Sequence, residues 1–272
     1  RFILSNLYDY DPQRDQAPYG EMTDLDRWAL LKLDALVRRV TRAYSEYEFH
    51  VVFHSIHKFC TVDLSNIYFD IIKDKLYCSS PDDRERKAVQ TVLYELINTL
   101  VVVLTPILAF TSEEIWSHLR RPDQPESVQL LEWPRFRDSW QNKELEDRID
   151  RLLTAREVVT KALEEARVKK VIGHSLGAKV VIYASSEWQE LLNKISNLNR
   201  IFIVSLAEVR SADQRPDLAV SLEEIEGLWV EVKAADGKKC ERCWVIETSV
   251  GEDDQHPTLC RRCAEVMAVL GN

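Results

Sequence analysis

Cys240-Glu-Arg-Cys243 and Cys260-Arg-Arg-Cys263, with sixteen residues between them, are two thiol pairs at the spacing that turns both sulfurs of a pair toward one point. Four thiolates meeting there complete a tetrahedral shell around zinc and leave no position open for water. The chemistry on offer is one structural Zn2+ per chain, not a catalytic one. Lys238, Lys239, Arg242, Arg261 and Arg262 surround the pairs, and Trp244 directly follows Cys243. Zinc with four thiolates carries a formal charge of about −2, which neighbouring cations neutralise. The same residues also suit a binding surface, with cations on phosphates and an exposed Trp stacked on an unpaired base. Residue types alone leave both readings open.

Gly173-His-Ser-Leu-Gly177 fits G-x-S-x-G, which would make Ser175 a hydrolase nucleophile. A nucleophile elbow needs a strand before the serine and a helix after it. Here a charged helical stretch precedes it and the β-branched run from Lys179 to Ala184 follows, so Ser175 is expected to be inert. His50, His54, His57 and Cys60 share one helical stripe, but no adjacent acid supports a metal, and ordinary packing explains them. Glu113 and Glu114, after Thr111-Ser112 at the start of a helix, read as capping carboxylates. There is no P-loop and no G-x-G-x-x-G. No catalytic residue is assigned.

These groups belong to a chain of 272 residues, 45% hydrophobic and 30% charged, with a formal net charge of −9. Such a field repels phosphate, so a nucleic acid must be met by a local basic face. Two of the six cysteines, Cys60 and Cys78, lie alone in helical sequence, and the other four are paired for a metal. That usage favours a reducing, cytoplasmic compartment. The apolar run from Leu96 to Phe110 is interrupted by Asn98, Thr99, Thr105 and Pro106, short of the roughly 18 to 20 residues of a membrane span. No membrane partner is expected. The chain starts at Arg1, and Arg1 to Leu7 looks like the tail of a helix, as in a fragment of a longer protein.

Helical periodicity runs from Met22 to Tyr47 through Leu25, Trp28, Leu33, Leu36, Val37, Val40 and Tyr44, with Thr23 or Asp24 as N-cap. Helices are also predicted over Glu48 to Tyr77, Asp83 to Leu104, and from Pro106 to Leu119 with the proline in the first turn. Pro122, Pro125 and Pro134 mark a crossing loop, with a short extended piece at Val128 to Leu131. One long amphipathic helix follows from Asn142 to Lys170. Beyond Gly173, strands are predicted at Lys179 to Ala184, Ile201 to Val204 and Leu228 to Val232, with a helix at Glu187 to Ile195. The fold class is mainly α: a helical bundle, then a small α+β domain and a zinc ribbon.

Several of these segments resemble one family. Arg1-Phe-Ile-Leu-Ser-Asn-Leu with Asp11-Pro12, Leu25-Asp-Arg-Trp28, Tyr47-Glu-Phe-His50, Phe69-Asp-Ile-Ile-Lys-Asp-Lys75, Thr105-Pro-Ile-Leu-Ala-Phe-Thr-Ser-Glu-Glu114 and Cys240-Glu-Arg-Cys-Trp244 are similar to the C-terminal region of bacterial isoleucyl-tRNA synthetases, class I enzymes. Valyl and leucyl relatives share the bundle, but the terminal CxxCW knuckle resembles the isoleucyl branch. The resemblance implies an anticodon-binding bundle at 1–138, an α+β junction domain beginning with a long helix at 139–236, and a four-cysteine module at 237–272. It implies tRNA(Ile) and the rest of the synthetase as partners, in a monomer. The HIGH and KMSKS signatures are absent from the sequence. ATP therefore belongs to a catalytic domain outside it, and the fragment is expected to bind tRNA without activating isoleucine. Trp244, Arg242, Arg261, Arg262, Lys73 and Lys75 are the expected tRNA contacts, provided that cations such as Arg38, Arg39, Arg42, Lys73 and Lys75 gather on one face. The ribbon also resembles that of formamidopyrimidine-type DNA glycosylases, which begin with a catalytic proline where this chain has Arg1. A zinc-ribbon DNA-binding module is thus the alternative, and a serine hydrolase the third.

Overall fold

The computed structural model describes residues 1–271. The chain divides into two units, one of residues 1–76 and 81–146 and the other of residues 77–80 and 147–272.

The first unit is helical: α1 (Phe2–Ser5), α2 (Asp24–Ser45), α3 (Phe49–Lys58), a π-helical stretch (Phe59–Tyr68), α4 (Phe69–Cys78, whose last two residues fall in the second unit), α5 (Arg84–Leu104) and α6 (Ala109–Leu119). α2 begins at a capping box: the Thr23 hydroxyl accepts from the Asp26 N–H, and the Asp26 carboxylate accepts from the Thr23 N–H. Tyr68 of the π stretch donates to the other Asp26 oxygen at 2.7 Å. Burial nonetheless raises the pKa of this enclosed carboxyl. α2 packs on α3 and α5. Trp28, Leu33 and Val40 on α2, and Val92, Leu93 and Leu96 on α5, are almost wholly buried. Each such side chain contributes roughly 1.5–3 kcal/mol on leaving water. α5 is long and apolar enough to cross a membrane by length and composition, but 61% of its most apolar window is buried inside the protein.

Two polar anchors hold the irregular segments of this unit. Asp9 accepts from Arg86 and from Gln90 (2.7 Å), and Tyr10 donates to Thr91 at 3.0 Å, which ties the N-terminal coil to α5. Buried Asp34 on α2 accepts from the Arg137 N–H and Gln141 Nε2, both at 2.6 Å, and from Arg38 Nε at 2.7 Å. Together with Trp133, which donates to Thr41, it pins the proline-rich crossing loop across α2.

The second unit carries most of α7 (Lys143–Val168), then β1 (Ala178–Ala184), α8 (Ser186–Asn193), α9 (Leu198–Phe202), β2 (Leu206–Ser211), β3 (Leu228–Ala234), β4 (Lys238–Lys239), β5 (Ile246–Glu247) and α10 (Arg261–Leu270). β1 is the centre of a three-stranded sheet ordered β2-β1-β3. It pairs in parallel with β2 (Val181 opposite Glu208) and antiparallel with β3 (Val181 opposite Glu231). All of β1 except Lys179 is buried, as its unbroken apolar run requires.

Three local expectations are corrected. Pro106 does not open α6: the N–H groups of Ile107 and Leu108 still bond back to Leu104, so the proline sits in the turn that ends α5, and α6 starts at Ala109. Val128–Leu130 is a 3-10 turn, not an extended piece, because Glu113 accepts from both Ser127 Oγ and the Val128 N–H and folds the segment back. Ile201 to Val204 is not a strand. Leu198 and Phe202, one helical turn apart, are both buried, and Ile203 adopts a left-handed backbone (φ 55°) that ends α9. The strand instead follows at Leu206–Ser211, an edge whose Glu208 and Arg210 hid it from an apolar pattern.

Candidate metal centre

The first thiol pair lies in the turn of a short hairpin. β4 and β5 pair Lys238 with Glu247 and Lys239 with Ile246. Between them the Cys240 N–H bonds to Val245 O, and the Trp244 N–H to Cys240 O, both at 2.9 Å. The second pair spans the start of α10, with Cys260 as its N-cap residue. The Glu241 N–H bonds to Thr258 O at 3.2 Å, and the Arg261 N–H to Ser249 Oγ, also at 3.2 Å, joining the two halves. The hairpin depends on Gly237, which has φ +114° and where an added Cβ would stand 2.4 Å from the carbonyl carbon and oxygen of Glu247. Gly237→Ala is therefore expected to splay the hairpin at a cost of at least about 1–3 kcal/mol. In a chelator titration this variant should release its metal at lower chelator concentration than wild type, with the melting of the helical unit unchanged.

The ligand atoms of Cys240, Cys243, Cys260 and Cys263 all lie within 4.8 Å of one another. All four residues are buried, Cys243 the least so at 9% exposed. Cys243 Sγ and Cys260 Sγ stand 3.8 Å apart. A zinc–sulfur bond of about 2.3 Å gives a tetrahedron with edges near this length, whereas a disulfide is about 2.05 Å. None of the six cysteines forms a disulfide. Hydrogen bonding from Cys263 above all, opposed by burial and aided by the Val245 N–H, Arg262 and Cys240, brings the Cys243 pKa down to about 4. Burial pushes Cys260 up to about 12, and the hydrogen bond to Cys243 together with burial raises Cys263 far above the ordinary thiol range. Within the cluster, hydrogen bonding thus favours the thiolate at Cys243, burial favours the thiol at Cys260, and the hydrogen bond to Cys243 with burial favours it at Cys263. A divalent cation favours the thiolate form of all four, and the donor set fits zinc.

The neighbouring cations have defined positions. Arg242 turns inward, donating to Cys78 O at 2.6 Å, to Tyr77 O at 3.4 Å and to Cys263 Sγ at 3.8 Å. Its guanidinium fastens Tyr77 and Cys78, the residues of α4 that belong to the second unit, to the first knuckle and offsets thiolate charge. Arg262 hydrogen-bonds to Cys243. Arg261 is 70% exposed and pairs with Glu252 at 2.7 Å. Trp244 is 58% exposed, with Lys239 Nζ 5.1 Å from its ring centroid. Its backbone is left-handed (φ 66°), the conformation that glycine adopts most cheaply. In the first unit, Lys73 pairs with Asp70 at 3.0 Å, and Lys75 pairs with Glu85 and lies 4.0 Å from Asp83. Arg38 and Arg42 are likewise paired, with Asp34 and Asp138 and with Glu46.

Among the described residues, the four cysteines are the one His/Cys/Asp/Glu group close enough to hold a metal. His50, His54 and His57 are exposed on α3, and Cys60 falls in the π stretch. Ser175 begins a 3-10 turn that leads into β1, so its strand comes after it and no elbow forms. The inward clamp of Arg242 on the Tyr77–Cys78 carbonyls and the left-handed Trp244 were not readable from sequence. Neither leaves a spacing signal.

The chain thus runs from a helical bundle into a small sheet and a four-cysteine ribbon, and both ends of it match known families. The family described as the anticodon-binding domain of tRNA ligase matches residues 26–182, and the zinc finger found in FPG and IleRS matches residues 237–266. The chain belongs to the anticodon-binding domain family of tRNA ligases. It is 66% identical over 99% of its length to an isoleucine–tRNA ligase of Syntrophomonas wolfei, 49% over 98% to that of Moorella thermoacetica and 46% over 100% to that of Carboxydothermus hydrogenoformans. It spans about 29% of the length of each of these relatives.

Proposed function

We propose that the chain is the C-terminal, tRNA-recognising part of a cytoplasmic isoleucine–tRNA ligase, and that it grips the anticodon region of tRNA(Ile) while the remainder of the enzyme carries ATP, isoleucine and the chemistry. The observation that carries this reading is the 66% identity over nearly the whole chain to one such ligase. The missing HIGH and KMSKS motifs support a fragment that activates no amino acid by itself. Six cysteines without a disulfide, four of them grouped for a metal, suit a reducing compartment. In this reading residues 1–138 are the anticodon-binding bundle, 139–236 the junction domain and 237–272 the zinc module, acting within a monomeric enzyme.

The zinc is structural, since four thiolates leave it no open coordination position. Trp244 stacks on an unpaired base with Lys239 beside it, and Arg261, Lys73 and Lys75 exchange their carboxylate partners for phosphates. Such exchange is cheap, because exposed ion pairs are worth about 0–1 kcal/mol. Arg242 and Arg262 act from behind, holding the knuckle that presents Trp244. Competition binding tests the reading: tRNA(Ile) should displace a labelled tRNA(Ile) transcript, and equal masses of duplex DNA or of a tRNA with another anticodon should not. Equal displacement by duplex DNA would replace it with a general zinc-ribbon DNA binder.

A further inference from the structure

We propose that Tyr47, Phe49 and Phe53, at the start of α3, form a second stacking platform for unpaired RNA bases, an assignment that rests on the anticodon-binding reading above. α2 ends in a paired capping turn: the Tyr47 N–H bonds to Tyr44 O at 3.2 Å and the Glu48 N–H to Ala43 O at 2.8 Å, with Tyr47 at φ 59°. Glycine or asparagine is the usual residue at such a position, because a Cβ is penalised there. A tyrosine holds it instead and is 80% exposed, so its ring gains little from packing. A strained backbone that delivers an aromatic ring to solvent points to a ligand for that ring.

The rest of the face fits the same partner. Phe49, Phe53 and His57 follow one another at single-turn spacing, and His50 and His54 run beside them. Val52 and Ile56 on the opposite side are buried. Phe49 is 50% and Phe53 57% exposed. Tyr47 meets Phe49 edge-on at 6.4 Å, and Phe53 lies nearly parallel to His57 at 5.7 Å. Within Phe49–Lys58 there is no Asp or Glu, although the chain has 45 acidic residues, and Lys58 closes the strip. The exposed large apolar side chains of this face are all rings, with no aliphatic filler of the kind a protein or membrane contact uses. Glu46 and Glu48 flank Tyr47, and Glu46 is held by Arg42 at 3.0 Å. Beyond them the open π faces run beside a cation on a helix whose own residues carry no carboxylate, which matches bases joined by phosphates.

The test uses the full chain and a labelled RNA hairpin bearing the tRNA(Ile) anticodon loop, read by fluorescence anisotropy. Tyr47→Gly and Phe53→Leu should each weaken binding at least about fivefold, as loss of one stacked base does, and Phe53→Trp should bind like wild type. Tyr47→Gly should also melt no lower than wild type, since glycine relaxes the turn, and this separates a ligand role from a structural one. If wild type binds the hairpin and Tyr47→Gly and Phe53→Leu bind it equally well, the platform is refuted while the anticodon reading stands. If wild type does not bind the hairpin, that reading fails and the platform with it. A dimer in sedimentation that these variants dissociate, with RNA affinity unchanged, would make the face a contact between copies and overturn the proposal.

Discussion

Removing zinc is expected to unfold the terminal module and leave the helices standing. Residues 237–271 offer few buried apolar side chains apart from the ligands, chiefly Val250 and Ala264, with Val245 and Leu259 partly buried. A segment of this size does not fold on its own apolar contacts. Zinc binding to small finger peptides supplies about 10–16 kcal/mol, and that energy is folding energy here. Chelation, or Cys260→Ala, should therefore abolish amide protection from Lys238 to Leu270 while α2 and α5 keep theirs. Acid should do the same. Cys260 and Cys263 have raised pKa values, so each must surrender a proton to bind the metal, and affinity must fall as pH falls. Metal analysis should return one zinc per chain. A Cys260→Ala protein that retains full metal content would contradict the assignment.

Trp244→Gly is expected to uncouple RNA binding from stability. The wild-type residue sits at φ 66°, where glycine is at ease, so the substitution should leave melting unchanged or raise stability by about 1 kcal/mol. The ring is 58% exposed, and the partly buried apolar side chains packed against the four cysteines are Val245 and Leu259, so zinc content should not change. Loss of one base–aromatic stack should nevertheless weaken binding to tRNA by about 1–3 kcal/mol, roughly 5- to 150-fold. Lys239, 5.1 Å from the ring centroid, should then contribute less, and the salt dependence of binding should flatten. A variant that gives up zinc or melts early, with its binding loss tracking unfolding, would make Trp244 a cover for the ribbon and nothing more.

What the sequence made legible was local. Two C-x2-C pairs announce their own geometry, because ligation needs only a tight turn at each pair. Thr23 and Asp83 announce helix starts because a short polar side chain can reach the free N–H groups of the first turn, and both do so. The parts that stayed hidden depend on distant partners or on backbone conformation. Asp34 reads as one more polar residue on a helix, and only the fold brings it Arg137 and Gln141 from 103 and 107 residues away. Ile201 to Val204 carries a strand's composition, but burial of Leu198 and Phe202 on one face decides for a helix. The left-handed backbones of Tyr47 and Trp244 follow from no preference of either residue. Arg242, grouped by type with possible phosphate contacts, is committed to two backbone carbonyls and a ligand sulfur.

The central claim is that this chain recognises the anticodon region of tRNA(Ile), and a footprint tests it most directly. Chemical or nuclease probing of tRNA(Ile) with and without the zinc-loaded chain should show protection concentrated in the anticodon loop and the adjoining stem, with the acceptor end left open. Trp244→Gly should remove part of the loop protection and leave the stem covered. Protection confined to the acceptor end, or none at concentrations that saturate binding, would contradict the account.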